Sequence, residues 1–448
     1  MSEIQLVWPN KHLSLRASGK SDYEWVQKED DRLSESPTLE WIAEGASDSR
    51  NVVAIGDGLD VIEGLSAGTS VLSNGIRLVY IDPPFNTQVN FRQYNDSMQR
   101  SMWLSMLRDR LEAVRPHLSD DGSVWVHLDD AEVHRARSVM DEVFGEEAFV
   151  TSVIWQKKTT RDSRAAFSSN HDTILVYAPS GPKKWKMSRN LLIKDDANLR
   201  NRDADSRGPW TDAPFTAPGY RKAQQYDITT PTGQILRPPR GRSWYATEST
   251  FLELLADDRI WFPKGGSGSP RIKIFAHQLK GLVPFTIWGS AETGTNDDAK
   301  RHLLGMFPDI EVFDTPKPES LLERIIHIST NPGDLVVDIF GGSGTTATTA
   351  HKMGRRWILA ERNHQTVSDF IIPRLQLVIE GEDSGGISDV SDWQGGGSYH
   401  VLYVPPRLGR SIGTTNINSI KRKIRDLRQE QQQQQQKKMH QKKQHVTA

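Results

Sequence analysis

The run Val79-Tyr-Ile-Asp82-Pro83-Pro84-Phe85 carries an apolar strand directly into an acid, two prolines and an aromatic ring. The prolines hold the backbone and remove two N–H donors, so the strand end presents carbonyls and a carboxylate. Such an acceptor-only edge suits an amino group that must give up protons. An arylamine nitrogen is a weak nucleophile because its lone pair spreads into the ring. Acceptance of its two N–H hydrogens by the Asp82 carboxylate and the Pro83 carbonyl favours a pyramidal nitrogen with that lone pair free. Phe85 offers a face on which a planar base, once turned out of a duplex, can stack. The same four residues would serve equally as a turn after a strand, with Asp82 capping a helix.

A second segment bears on a ligand. Asp334-Leu-Val-Val-Asp338-Ile-Phe340-Gly341-Gly342-Ser-Gly344-Thr345 reads as a strand, a glycine-rich turn and a helix start, and Arg356 to Glu361 as a further strand ending in an acid. Glycines let the backbone approach a ligand closely, and a helix N-terminus offers free N–H groups. Glu361 lies 20 residues beyond Gly341, where an acid of a Rossmann unit grips ribose hydroxyls. Nothing matches the phosphate loop of nucleotide triphosphatases, so ATP is not implied. An acceptor edge and a nucleoside cradle together are what amino methyl transfer requires, since methyl passes in line from sulfonium to nitrogen and positioning supplies most of the catalysis. No metal is expected. His127, Asp129, Asp130, Glu132 and His134 are crowded, but read better as a strand end followed by a solvated helix start.

Composition closes other branches. None of the 448 residues is cysteine, which removes disulfides, thiolate–metal sites and cysteine nucleophiles, and with them methylation at carbon-5 of cytosine. No apolar run approaches bilayer length and Met1 to Asn10 lacks a signal-peptide pattern, so no membrane association and a cytoplasmic location are expected. The formal charge of −1 hides a basic end: nine Lys/Arg against two acids between Lys421 and Ala448.

The elements that must position these groups are visible as periodicity. Asn51–Ile55, Arg77–Ile81, Ser123–His127, Thr173–Tyr177, Asp334–Ile339 and Arg356–Ala360 read as buried strands. Trp103, Leu104, Leu107, Leu111, Val114 and Leu118 follow helical spacing that Pro116 bends or ends, and Pro318 opens the first turn of a helix carrying Leu321, Leu322, Ile325 and Ile326. Alternation of this kind implies an α/β fold with a mostly parallel, doubly wound sheet. The pattern breaks between residues 183 and 290, rich in Gly, Pro, Arg and aromatics, and an inserted domain of irregular or short-strand structure is expected there. The boundaries read as an N-terminal extension (1–50), a catalytic half (51–182), the insert (183–290), a cofactor half (291–410) and a basic, glutamine-rich low-complexity tail (411–448), a frayed helix or disordered.

These segments, in this order, resemble the β-class amino methyltransferases, and most closely the Mod (modification) subunits of type III restriction systems. Ile55-Gly-Asp57 resembles the family segment whose acid reaches the cofactor adenine, and Asp82-Pro-Pro-Phe85 the catalytic motif, although the common tetrapeptide ends in Tyr. Asp121 to Asp130 resembles the following core strand; Phe144-Gly-Glu-Glu to Ile154-Trp, and His171 to Tyr177, resemble strands framing the target-base pocket. Thr315-Pro-Lys317-Pro-Glu-Ser320 resembles the start of the helix under the cofactor, and Phe340 to Gly344 with Glu361 the cofactor loop and ribose acid. The resemblance spans about Asn51 to Asn363, with the insert similar to the family's target-recognition region.

The resemblance implies a Rossmann-like, S-adenosylmethionine-dependent methyltransferase with circularly permuted motif order, acting on adenine N6 of a flipped base at a specific site in double-stranded DNA. It implies catalytic residues Asp82, Pro83, Pro84 and Phe85, and a cofactor set of Asp57, Lys317, Ser320, Asp338, Phe340, Gly341, Gly342, Gly344, Thr345, Glu361 and Asn363. Arg237, Arg240, Arg242 and Arg271 are candidates for phosphate or guanine contacts, and Trp244 for stacking or wedging; pairing with nearby acids and burial in a small core is the alternative. A homodimer and a restriction subunit are the implied partners. Cytosine N4 is the rival target, usually marked by Ser in place of Asp82, and a DNA-binding module without turnover is the rival of another class.

Overall fold

The computed structural model describes residues 5–19, 22–87, 89–90, 95–96, 98–193, 199–279, 281–308, 313–408, 416–427 and 429. Two compact units result, Met1–Asn190 with Phe285–Ala448, and Leu191–Pro284. Residues 416–427 are helical, and the glutamine run of the tail lies outside the described residues.

The larger unit is built on a ten-stranded sheet. In chain order its strands are β1 (Glu40–Ala43), β2 (Val52–Ile55), β3 (Ile76–Ile81), β4 (Leu118–Leu128), β5 (Phe149–Gln156), β6 (His171–Tyr177), β7 (Ile287–Trp288), β8 (Leu335–Asp338), β9 (Arg356–Glu361) and β10 (His400–Tyr403). Across the sheet the order is β7-β5-β6-β4-β3-β8-β9-β2-β10-β1. From β4 to β10 all neighbours are parallel. β6 is antiparallel to both β4 and β5, and β1 to β10. The sheet is thus mostly parallel, as the alternation predicts. Every residue of β2, β3 and β8 is buried, which is why these strands read as continuous apolar runs. β4 begins five residues earlier than its apolar stretch suggests, because Leu118 pairs with Ile76 before a register shift.

Helices α1 (Gly58–Gly68), α2 (Arg100–Val114), α3 (Val133–Phe144), α4 (Glu319–Ser329), α5 (Thr345–Lys352) and α6 (Ile372–Glu380) accompany the sheet. Val79, Ile81, Val124 and Val337 share one core cluster with the apolar stripes of α1, α2 and α3. By the two-residue alternation of strands, Leu78, Tyr80 and Val336 point to the other face, and they are buried too. α2 ends before a 3-10 turn that contains Pro116. Pro318 stands at the N-cap of α4, one step outside the helix rather than in its first turn, with an extended backbone. Ser105, Asp109 and Arg110 of α2 are buried because the extended N-terminal segment lies on that helix: Trp8 Nε1 donates to Ser105 Oγ (2.8 Å) and the Leu15 N–H to Asp109 Oδ2 (2.6 Å).

The smaller unit has short strands only. Trp210–Pro214, Arg271–Phe275 and Ile260–Trp261 form one sheet, beside two hairpin-like pairs and a single helix, Glu248–Ala256. Its core is Phe215, Ile228, Trp244, Phe251, Ile260 and Phe262. Lys273, 1% exposed, is ringed by Asp203, Asp205 and Asp258, so its ammonium fills the cluster that a cation would otherwise occupy. No helix among the described residues is long and apolar enough to cross a membrane.

Candidate active site

Four neighbouring parallel strands each deliver an acid at or just beyond the carboxyl end. These are Asp82 after β3, Asp338 closing β8, Glu361 closing β9 and Asp57 after β2. β3 and β8, far apart in the chain, are adjacent here, with Val79 opposite Val337. The tetrapeptide and the glycine turn therefore open into one crevice, where ligands of open α/β sheets bind. The cleft holds about 340 Å³ and is lined by both segments, with Lys317, Glu361 and Asn363.

On the β3 side, Lys317 Nζ donates to Asp82 Oδ2 at 2.5 Å and lies 5.1 Å from the centre of the Phe85 ring. Asp82 Oδ1 is buried and has no hydrogen-bond partner among the described residues. The Pro84 carbonyl is taken by Trp103 Nε1 (2.6 Å), whereas the Pro83 carbonyl accepts nothing among the described residues. Asn86 has a positive φ (59°), a conformation Asn tolerates, and its side chain is clamped between the Met98 N–H and Glu132. Phe85 lies nearly parallel to the His127 ring at 6.0 Å. His127 is fully buried, bonded to Tyr80 Oη (3.0 Å) and Asp172 Oδ2 (3.2 Å), and Lys157 completes the row on Asp172 Oδ1 (2.7 Å). Burial and the nearby Lys317 charge hold the imidazole below its ordinary pKa. Burial acts the other way on Asp172, but the His127 hydrogen bond and the Lys157 and Lys317 charges bring it down to about 2. The expected strand end and helix start are found around His127 and Glu132, but that helix start is not solvated at Glu132. Both are 0% exposed, because Glu132 receives Asn86 and Arg100 while His127 backs the Phe85 ring.

On the other side the chain prepares a nucleoside cradle. Glu361 takes the Gly342 N–H on Oε2 (2.9 Å) and the Asn363 N–H on Oε1 (2.7 Å). Each carboxylate oxygen has a second lone pair, so the capacity to accept ribose hydroxyls remains. Gly341 lies so close to β9 that a Cβ there would meet Leu359 Cγ at 2.9 Å. Gly344 has a left-handed backbone (φ 80°) that starts α5. Asp338 receives the Phe340 N–H and Thr346 Oγ1, yet burial, with the charges of Asp82 and Glu361, raises its pKa to about 7. Asp57 caps α1 and pairs with the buried Arg110 (2.5 Å), whose guanidinium also faces the Tyr23 and Phe340 rings. Burial opposes ionisation of Asp57, but the Arg110 charge wins and holds it low.

Of the residues singled out from sequence, Asp57, Asp82 to Phe85, Lys317, Asp338, Phe340 to Gly342, Thr345, Glu361 and Asn363 line this one cleft. Lys317 is seated on Asp82 rather than among the cofactor acids. Ser320 and Gly344 do not line it: Ser320 Oγ lies against Gly294, and Gly344 faces Ile371. Sequence reasoning missed Tyr23, Arg110, Lys157, Asp172 and Arg362, all of which line the cleft. Arg110 had a signal, a charge on the same helical stripe as Leu107, Leu111 and Val114. Tyr23 had none.

The smaller unit places its candidates differently. Arg237 forks onto Asp227 (2.7 and 3.1 Å), Arg271 pairs with Asp212, and Arg242 donates to Thr216 Oγ1 (3.2 Å). Trp244 is 1% exposed in the core and its Nε1 donates to the Tyr226 carbonyl, the burial in a small core that was the alternative for it. Arg240 alone of the five is exposed with no partner among the described residues.

A parallel sheet whose crevice joins a glycine turn, a ribose-type acid and an acceptor corner defines a Rossmann-like, nucleoside-binding α/β protein. Residues 76–371 match the family model described as DNA methylase, and the chain belongs to that family. The type III restriction-modification enzyme StyLTI Mod subunit of Salmonella typhimurium is 31% identical over 67% of this chain and 49% of its own length. The probable type III restriction-modification enzyme HindVI Mod subunit of Haemophilus influenzae is 27% identical over 80% of this chain and 54% of its own. The type II methyltransferase M.EcaI of Enterobacter cloacae is 30% identical over 63% and 61%. The chain thus spans about half the length of the Mod subunits it matches.

Proposed function

We propose that the protein transfers a methyl group from S-adenosylmethionine to the N6 amino group of an adenine turned out of duplex DNA. The observation that carries this reading is the Asp82 carboxylate. One oxygen is held by Lys317, the other is buried with no donor among the described residues, and Asp82 lines the cleft that contains the glycine turn and Glu361. A buried acceptor left unpaired costs about 1–3 kcal/mol, which an incoming N–H donor would recover.

The residues present fit the cofactor. Glu361 would take the ribose hydroxyls, the Gly341–Gly342 backbone allows close approach, and Asp57 stands where an adenine amino group can donate to it. When bound, the cofactor supplies an electrophilic methyl on a sulfonium. Asp82 Oδ1 and the Pro83 carbonyl accept the two amino hydrogens and so direct the nitrogen lone pair outward; Phe85, backed by His127, holds the ring plane. Asp82 would accept the surplus proton that the amino nitrogen sheds once it carries the methyl group. Lys317 keeps that carboxylate in one rotamer. An acid at position 82, rather than Ser, favours adenine over cytosine on the family resemblance.

The relatives named as Mod subunits support a place in a restriction-modification system, with a restriction subunit as partner; a second copy of this chain and a cytoplasmic location are proposed on the family resemblance. Sequence recognition falls to the Leu191–Pro284 unit. The test is nucleoside analysis of unmethylated plasmid DNA after incubation with protein and S-adenosylmethionine. N6-methyladenine is expected. N4-methylcytosine would transfer the reading to the rival base, and no methylated base at all would overturn it.

A further inference from the structure

Asn296 lines the same cleft as Asp82, and its side chain makes no hydrogen bond among the described residues; Oδ1 is buried without any partner. The backbone around it is held firmly. The Asn296 N–H donates to the Lys157 carbonyl (3.0 Å), and Trp155 Nε1 donates to the Gly294 carbonyl (3.3 Å). Thr295 forms a reciprocal capping box with Asp298 at the start of helix Asn296–Met306. Trp155 lies on β5 and Lys157 follows its last residue, on the side of the sheet that also carries Asp172 and His127 and away from β9 and β2, which carry the cofactor acids. A firmly held backbone that presents a buried carboxamide oxygen with no partner among the described residues is unusual, because buried polar atoms nearly always find partners within the fold. Other polar groups on this side are already used: Lys157 is committed to Asp172, and His127 is bonded through both ring nitrogens.

We infer that Asn296 reads the edge of the base that receives the methyl group, as a specificity-determining residue. A carboxamide offers one acceptor and one pair of donors side by side. An aminated base offers the complement, an amino donor beside a ring-nitrogen acceptor, which is how Asn pairs with adenine in duplex recognition. Asn296 Nδ2 donates to that ring nitrogen, while Oδ1 takes, together with Asp82 Oδ1, a bifurcated bond from one amino hydrogen, the other staying on the Pro83 carbonyl. Guanine and thymine carry a carbonyl where this pair requires a donor and would leave both acceptors facing an oxygen. The inference rests on the proposed methyl transfer and adds to it a second reader, one that recognises the ring and not just the amino group.

The experiment compares wild type with Asn296→Leu, which keeps the volume and removes both polar atoms, and with Asn296→Asp, which keeps an acceptor and loses the donor. Labelled methyl transfer to unmethylated plasmid DNA, S-adenosylhomocysteine binding by calorimetry and thermal unfolding are measured for all three. One bidentate base contact is worth about 5- to 150-fold, so Asn296→Leu should lower kcat/KM for DNA within that range. Asn296→Asp should recover little. Cofactor-product affinity and Tm should match wild type. Transfer by Asn296→Leu at the wild-type rate would overturn the inference while leaving the proposed function intact. A joint fall in S-adenosylhomocysteine affinity and Tm would also overturn it, by assigning Asn296 to the scaffold. Wild-type protein that methylates no DNA would instead remove the reading on which the inference rests.

Discussion

The two units use charged and aromatic side chains in opposite ways. In the smaller unit, Arg237, Arg271 and Lys273 are answered by acids of the same unit, and Trp244 fills its core. In the larger unit the crevice keeps acceptors unanswered: Asp82 Oδ1 and Asn296 Oδ1 have no partner among the described residues. Beside them Asp338, though hydrogen-bonded, is pushed up to about 7 by burial beside other acids. A residue type alone does not separate the two cases. What separates them is whether the fold has already satisfied the group, since an unpaired buried polar atom must be compensated by whatever binds.

The sharpest way to break this comparison is at the acceptor corner. Asp82→Ala should lower methyl transfer by about 10²–10⁴-fold, the range for a positioned proton acceptor, while S-adenosylhomocysteine binding measured by calorimetry stays within about twofold. Wild-type turnover in that variant would show that the unpaired oxygen is an accident of packing. The next effect is at the cradle. Gly341→Val places side-chain atoms against Leu359, where a Cβ alone comes within 2.9 Å. Overpacking of this kind costs about 1–3 kcal/mol, and cofactor-product affinity should fall by about tenfold or more; unchanged binding would mean that the turn does not approach the ligand. The smallest effect contrasts two arginines of the smaller unit. Arg240→Ala should weaken duplex binding and reduce its salt slope by about one charge, whereas Arg237→Ala, whose guanidinium is already spent on Asp227, should change neither. Equal effects from the two would erase the distinction between answered and unanswered charge.

Much of the larger unit was legible because its strands are buried on both faces and its turns carry distinctive residues. The runs at 76–81 and 335–338 announce themselves by apolarity, and Asp82-Pro-Pro-Phe85 and Gly341–Gly344 by residues whose backbone behaviour is particular. Contacts between distant segments were not legible. Glu132 looks like a member of a hydrophilic stretch and His127 like the end of a strand, and only the fold brings Asn86 and Arg100 to the first and Tyr80 and Asp172 to the second. The Thr315–Ser320 segment places Lys317 with the cofactor by resemblance, yet its ammonium lies on Asp82 across 235 residues of chain. In the smaller unit the arginines carried no periodic signal, so a partner such as Asp212 for Arg271 could not be told from a phosphate.

The account stands on the adjacency of β3 and β8, which brings the acceptor corner and the glycine turn to one crevice. A crystal structure with S-adenosylhomocysteine tests it most directly. The ribose should lie on Glu361 and the sulfur should face Asp82 Oδ1 and the Pro83 carbonyl, leaving room for one methyl and an attacking nitrogen about 3–3.5 Å from it. A nucleoside bound on another face, or a sulfur turned away from Asp82, would contradict the account.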